Sequence, residues 1–200
     1  MLLLLAVLLV AMISSGAVPN MAVEVLGACA RLDLPVERVA PRPAAYDAFC
    51  QSHPGQCDMA GESVIELNVR ILQALTKTNR EVNAEIRFAD DPEWQGNEEE
   101  WSYPVSGHGD CEDFALEKRR RLVAWGLPRA SMSMAVVYHK AFMCPHALLL
   151  VETTAGTLAL DNLDSAIHCW DKAPYNYESR ERPDGQWDRF DQSLWQWFPR

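Results

Sequence analysis

The sequence predicts an α+β fold in which helices come first and an antiparallel sheet follows. Three observations carry this. Between Glu62 and Val82 apolar residues recur at Ile65, Val69, Leu72, Leu75 and Val82, the spacing of one long amphipathic helix. A second helix has both ends marked: Asp110 stands ahead of Cys111 as an N-cap, and Gly126 and Pro128 stop the run through Leu116, Leu122 and Trp125. Beyond Pro128 the period changes. Met132–Tyr138, His146–Glu152, Thr157–Leu160 and Ile167–Trp170 are short and rich in Val, Leu and Ile, with turns at Cys144-Pro145 and Ala155-Gly156. A block of helices followed by a block of strands is the α+β pattern.

Taken in order, Met1 to Ile13 is almost wholly apolar and leads into Ser14-Ser15-Gly16-Ala17. That is a secretory signal over residues 1–22, too short for an ordinary transmembrane helix; an uncleaved N-terminal anchor is the alternative. Export predicts a periplasmic or secreted protein in which cysteines oxidise. Cys50 and Cys57 flank the turn Pro54-Gly55 and are expected to form a small disulfide-closed loop, while the pairing of Cys29, Cys144 and Cys169 stays open. Residues 23–61, rich in Pro, Ala and Gly, are expected as a loosely structured lead-in, and 62–200 as the main domain. Residues 84–105 read as a loop, with Trp94 and Trp101 taken as packing residues in preference to substrate contacts. The tail, 171–200, is expected to add one late strand and cover a face. Two hundred residues with 48% hydrophobic content suit one core. A net charge of −10 excludes a nucleic-acid partner of the usual kind, since no basic surplus is present to neutralise phosphates. Lys118-Arg119-Arg120-Arg121 is the one basic cluster, and on a helix it is expected to form a solvated face.

The chemistry is placed at Ser106-Gly107-His108-Gly109-Asp110-Cys111-Glu112-Asp113-Phe114-Ala115. A thiol in the first turn of a helix feels the positive end of the dipole, which favours thiolate. Cys111 is either a nucleophile or a buried helix cysteine. A cysteine nucleophile needs a base and a group to orient that base. Five histidines are available, His53, His108, His139, His146 and His168. His146 opens the apolar strand Ala147–Val151, and Asp161 ends the next strand. A hairpin about Thr153–Gly156 brings the start of one beside the end of the other, within a residue or two of register. Asp161 then fixes the imidazole, or else caps its own turn with Asn162 and Asp164. Asp110, Glu112 and Asp113 (the last near a capping-box spacing) surround Cys111 and raise its pKa. A thiolate there makes sense if a hard cation with oxygen ligands, such as Ca2+, neutralises some of that charge. From a different class, His108, Cys111, Cys144, His146, His168 and Cys169 are zinc-ligand types, but their spacing matches no regular zinc pattern.

Gly109-Asp110-Cys111-Glu112-Asp113-Phe114-Ala115-Leu116-Glu117-Lys118-Arg119, then Pro145-His146-Ala147, then Leu160-Asp161-Asn162 resemble the bacterial transglutaminase-like cysteine proteinases. The resemblance covers roughly 48–195, including Phe49-Cys50…Cys57 and Val82-Asn83-Ala84-Glu85-Ile86. It implies a papain-like, transglutaminase-like fold with a Cys-bearing helix packed on an antiparallel sheet carrying His and Asp. It implies Cys111 as nucleophile, His146 as general base and acid, and Asp161 as the orienting carboxylate. The family includes periplasmic proteases that release large surface adhesins and depend on calcium through the carboxylates flanking the cysteine, here Asp110 and Glu112. A protein substrate, such as a surface adhesin, and an inner-membrane regulatory receptor are the partners it implies. On physical grounds the Cys111 backbone N–H is a candidate oxyanion donor. The expected activity is that of a cysteine endopeptidase acting through a thioester acyl-enzyme. A transglutaminase or amidase on the same fold is the alternative.

Overall fold

The computed structural model describes residues 29–89 and 100–198, so the signal segment expected over 1–22 and Trp94 lie outside the described residues. In chain order the elements are β1 (Val36–Ala40), α1 (Ala44–Ser52), α2 (Pro54–Cys57), α3 (Val69–Glu85), β2 (Arg87–Phe88), β3 (His108–Gly109) and α4 (Cys111–Trp125). There follow β4 (Met132–His139), β5 (Pro145–Thr153), β6 (Gly156–Leu160), β7 (His168–Cys169), β8 (Tyr175–Glu181) and β9 (Trp187–Phe190). The main sheet runs β1-β9-β8-β4-β5-β6-β7 with antiparallel pairs throughout, and β2 and β3 form a separate parallel pair. The α+β expectation holds. Among the described residues, no helix is long and apolar enough to cross a membrane.

Successive strand residues point to opposite faces, and both faces of this sheet are covered. Met132 and Met134 of β4, Leu149 and Val151 of β5, and Leu158 and Leu160 of β6 pack against Leu116 and Leu122 of α4, Leu75 of α3, and Tyr46 and Phe49 of α1. The alternate residues Ala135, Val137, Leu148, Leu150 and Ala159 form a second core with Leu32, Tyr175, Tyr177 and Phe190. A sheet buried on both sides reads as continuous apolar runs, which is why β5 carries Ala147-Leu148-Leu149-Leu150-Val151 without alternation.

Three expectations are corrected. Residues 36–57 are not a loose lead-in: β1 pairs with β9, and Tyr46 and Phe49 are buried in the main core. Their signal was hidden because β1 is an edge strand whose charged residues face solvent. Helix α3 begins at Val69, not Glu62, because the Asn68 side chain accepts the Ile71 N–H at 3.0 Å and caps it there. Ile65 instead forms a bridge with Thr153 at the end of β5. The tail supplies two strands, not one, and β8 lies between β9 and β4 inside the sheet, while Trp195 beyond β9 packs on Tyr138 of β4.

The basic cluster is the fourth correction. Lys118 and Arg119 are 1% and 0% exposed, and only Arg120 and Arg121 face outwards, paired with Glu117 at 2.7 Å each. Arg119 Nη1 donates to the Tyr46 hydroxyl at 2.8 Å and lies 3.5 Å from Glu181. Arg129 Nη2 donates to Glu181 at 2.7 Å, and the Tyr46 hydroxyl donates to the same carboxylate at 2.6 Å. Burial works against the Glu181 carboxylate, but the charges of Arg129 and Arg119 outweigh it and hold its pKa below the usual range.

Two disulfides are present. Cys50–Cys57 closes the expected loop, and Cys29–Cys169, 140 residues apart, ties the chain before β1 to β7. On the loop-entropy model a closure of that length restrains the unfolded chain by about 5 kcal/mol. Beside it, Gly156 has φ +108°, and a Cβ there would meet the Cys29 carbonyl oxygen at 2.2 Å, so only glycine admits this close approach. Cys111 and Cys144 are free thiols.

Two stability predictions follow from the buried charges. Glu181→Gln leaves two buried guanidinium groups without their anion and costs about 3–5 kcal/mol in chemical denaturation. For Lys118, burial lowers the pKa from 10.5 to about 7, partly opposed by the charge of Asp161. The unfolded chain therefore binds that proton more tightly, and the penalty is complete below the folded value and fades as pH rises towards the unfolded one. Lys118→Met is expected to raise the melting temperature at about pH 6 by more than at about pH 9.5; equal shifts at both values would mean the ammonium is not desolvated.

Candidate active site

Helix α4 starts where Gly109 lets the chain turn in against it: a Cβ on Gly109 would come within 2.7 Å of the Asp113 side chain. Asp110 occupies the N-cap position with extended backbone (φ −98°, ψ −166°), yet its side chain makes no cap hydrogen bond and turns to Glu112 instead. Asp113 makes no capping box either. Its Oδ1 accepts the Ser102 N–H at 3.0 Å and the Ser102 hydroxyl at 3.3 Å, which anchors the segment carrying the buried Trp101. Trp101 packs on Tyr46 and Trp187, as a packing residue should.

The α4 start meets the start of β5. The Ala147 N–H donates to Cys111 Sγ at 3.3 Å, and the thiol donates to Glu112 Oε2 at 3.2 Å. Burial, then the charge and hydrogen bond of Glu112, push the Cys111 pKa far above that of a free thiol, and the Ala147 N–H offsets this only partly. The thiol form of Cys111, bonded to the Glu112 side chain, is thereby favoured over the thiolate.

One residue along from Ala147, His146 is 5% exposed, and its Nε2 lies 2.8 Å from Asp161 Oδ1. The register Leu149↔Leu160 places Asp161 opposite Leu148, two residues from His146 and on the same face of the sheet. Because a carboxylate only accepts, the neutral imidazole donates from Nε2 and keeps its Nδ1 lone pair for another proton. Asp161 also accepts the Leu163 N–H at 2.9 Å on Oδ1, so it caps its own turn and holds the imidazole at once. Its backbone carbonyl accepts from Asn83 Nδ2 of α3 at 2.8 Å. Burial opposes the Asp161 carboxylate; the His146 hydrogen bond and charge, the Tyr175 hydroxyl and the Leu163 N–H together keep its pKa low.

Tyr175 is a residue the sequence did not single out. Its hydroxyl donates to Asp161 Oδ2, and its ring lies 5.5 Å from the His146 ring. A lone tyrosine at a strand start carries no local signal, and its partner lies on another strand. The remaining histidines have other tasks: His53 stacks on Phe49, His108 is exposed beside Ser106, His139 Nδ1 accepts two turn N–H groups, and His168 pairs with Asp164 at 2.8 Å. Cys169 is bound in a disulfide, which removes it from the zinc-ligand set. A cleft lined by His139, Leu163, Asp164, His168 and Lys172 opens onto Asp161 and Tyr175.

The carboxylates flanking Cys111 suit a hard cation by their chemistry. Burial, followed by the charge of Asp110, raises the Glu112 pKa to about 9, so this pair resists holding two negative charges side by side. Oε1 of Glu112 is buried with no hydrogen-bond partner. An all-oxygen donor pair with an orphaned lone pair is what Ca2+ accepts. Among the described residues no group of three or more His, Cys, Asp or Glu side chains is arranged to hold a metal, so Asp110 and Glu112 supply part of a shell at most.

The chain resembles solved structures of LapG from Legionella pneumophila. Calcium-bound LapG is 26% identical, with a TM-score of 0.52 over 76% of this chain and 86% of that one. EGTA-treated LapG is 24% identical, with a TM-score of 0.50 over 79% of this chain and 96% of that one, a likeness of fold. No curated protein matches the chain. The profile of the bacterial transglutaminase-like cysteine proteinases (BTLCP) matches residues 36–194, which span β1 to the turn after β9 and include Cys111, His146 and Asp161. With the helix-on-sheet architecture already described, this identifies a transglutaminase-like cysteine peptidase, and the chain belongs to the bacterial transglutaminase-like cysteine proteinase family.

Proposed function

We propose that this peptidase is an exported, calcium-dependent endopeptidase in which Cys111, His146 and Asp161 form the catalytic triad. The observation that carries the proposal is the 2.8 Å His146–Asp161 hydrogen bond on the strand whose Ala147 N–H touches the Cys111 sulfur at 3.3 Å. With Nε2 engaged by Asp161, Nδ1 is the nitrogen left to take the thiol proton. The Cys111 thiolate attacks the scissile carbonyl, and the imidazolium gives its proton to the departing amine as the C–N bond breaks. Water, losing a proton to the imidazole, then attacks the thioester, releases the acid and restores the thiol. Oxyanion stabilisation falls to the Cys111 backbone N–H, which as the first of the helix has no intrahelical acceptor.

Asp110 and Glu112 would hold calcium, whose positive charge lets a thiolate exist beside them. The Cys111–Glu112 hydrogen bond and the raised Glu112 pKa support this, as does the calcium-bound state of a similar protein. The apolar stretch Met1–Ile13 supports a periplasmic or secreted location, and the family resemblance supports an exported surface protein, such as an adhesin, as substrate and an inner-membrane receptor as regulator.

Comparison of exported proteins from wild-type and Cys111→Ala strains is expected to show a surface protein that gains a new N-terminus only in the wild type. An isopeptide crosslink as the product would overturn hydrolysis in favour of acyl transfer. On that substrate Cys111→Ala and His146→Ala each lower kcat/KM by about a thousandfold or more while the fold survives, with Asp161→Asn less severe. Retention of activity within about tenfold in either alanine variant sinks the assignment.

Chelation is the test of the metal. Excess EGTA is expected to abolish activity, calcium to restore it, and calorimetry to find no calcium binding in Asp110→Ala or Glu112→Ala. Full activity in EGTA would end the calcium proposal and leave the triad standing.

A further inference from the structure

Asp161 is gripped from several elements. The His146 imidazole of β5 and the Leu163 N–H of the following turn bond to Oδ1, and the Tyr175 hydroxyl of β8 bonds to Oδ2. Asn83 of α3 bonds to its backbone carbonyl, and the buried Lys118 of α4 acts on it through charge. His139, at the end of β4, faces Tyr175 edge to face at 5.5 Å. Of these, Tyr175 alone bonds to the oxygen that the imidazole does not use, while its ring lies 30° from the plane of the imidazole it covers.

We infer that Tyr175 is a positioning residue for the His146 imidazole and acts through the Asp161 carboxylate. This rests on the proposed triad and goes beyond it. A carboxylate anchored on one oxygen can swing about its Cβ–Cγ bond, and the imidazole swings with it. A donor on the second oxygen fixes the carboxylate plane and so the direction in which Nδ1 points. Tyr175 suits the task because burial and the Asp161 charge raise its pKa well above that of a free phenol, so it remains a donor throughout the working range. It is also 4% exposed, so its ring and hydroxyl are held in place by packing.

The inference can be tested without knowing the natural substrate. The probe is iodoacetamide, and the quantity is the rate of Cys111 alkylation at about pH 6.5 with calcium present, where only an imidazole-activated thiol reacts quickly. The Cys111 peptide is quantified by mass spectrometry, which separates it from the exposed Cys144. Tyr175→Phe removes one oxygen and keeps the ring; its melting curve and near-ultraviolet circular dichroism report whether packing is intact. It is expected to slow alkylation roughly tenfold, the worth of one hydrogen bond to a charged group. In the Asp161→Asn background the same substitution is expected to change the rate by less than about twofold, because a residue acting through Asp161 has nothing left to act on.

A residue that only packs would slow both backgrounds alike, and that result would overturn the inference, as would an unchanged rate in Tyr175→Phe. If Tyr175→Phe does not fold, the same alkylation comparison with Tyr175→Leu decides: slowing confined to the wild-type background supports the inference, and equal slowing in the Asp161→Asn background overturns it. Wild-type Cys111 reacting no faster than Cys144 would instead overturn the triad, a different failure from that of Tyr175.

Discussion

Helix α4 is buried on nearly every side, from Glu112 through Arg119, and everything distinctive about this molecule answers that constraint. Its sequence is far more charged than a central helix ordinarily is, so each turn needs an internal partner. Glu117 is met by Arg120 and Arg121, and Arg119 by Tyr46 and Glu181. Asp113 is met by Ser102. The helix is seated by polar contacts at defined points as well as by Leu116 and Leu122. A ring of such contacts allows one rotation of the helix about its axis, whereas apolar packing alone tolerates several. That rotation decides where Cys111 points.

The partners come from distant parts of the chain. Glu181 lies at the end of β8, in the segment after the last turn of the family's His and Asp blocks, and Tyr46 lies in α1 near the start of the described chain. Segments from before and after α4 in the chain, α1 and β8, therefore close on the same helix. The tail enters the middle of the sheet, and through this insertion Glu181 reaches Arg119 at one end of β8 while Tyr175 reaches Asp161 at the other. One strand supports both the helix that carries the thiol and the carboxylate that holds the imidazole.

The electrostatics of the site divide in two. Around His146 and Asp161 charge is balanced, with donors on both carboxylate oxygens and a low Asp161 pKa. Around Cys111 it is unbalanced, with Asp110 and Glu112 adjacent, Glu112 Oε1 without a hydrogen-bond partner and the thiol pKa raised. The imidazole of His146 is thus already joined to its carboxylate, while the Cys111 thiol is bonded to a carboxyl group of its own helix turn.

Local pattern determined the α+β order, the bounds of α4 at Asp110 and Gly126, the strands from Met132 onwards and the Cys50–Cys57 bridge, because each is written in spacing or in neighbouring residues. It also determined that His146 and Asp161 meet, since a hairpin with a short turn makes two strand ends neighbours by geometry alone. Tertiary structure alone decided what depends on partners far apart in sequence. Lys118 and Arg119 are indistinguishable from a solvated run until Glu181 and Asp161 are brought to them. Cys29 could be matched with Cys169 only across the whole sheet. Asp110 and Asp113 have the residue types of caps, but competing partners, Glu112 and Ser102, hold them elsewhere. Tyr175 gains its role from an oxygen on another strand. Short-range geometry follows from the backbone and is legible in order; long-range polar pairing follows from which surfaces the core brings together, and no window of sequence contains it.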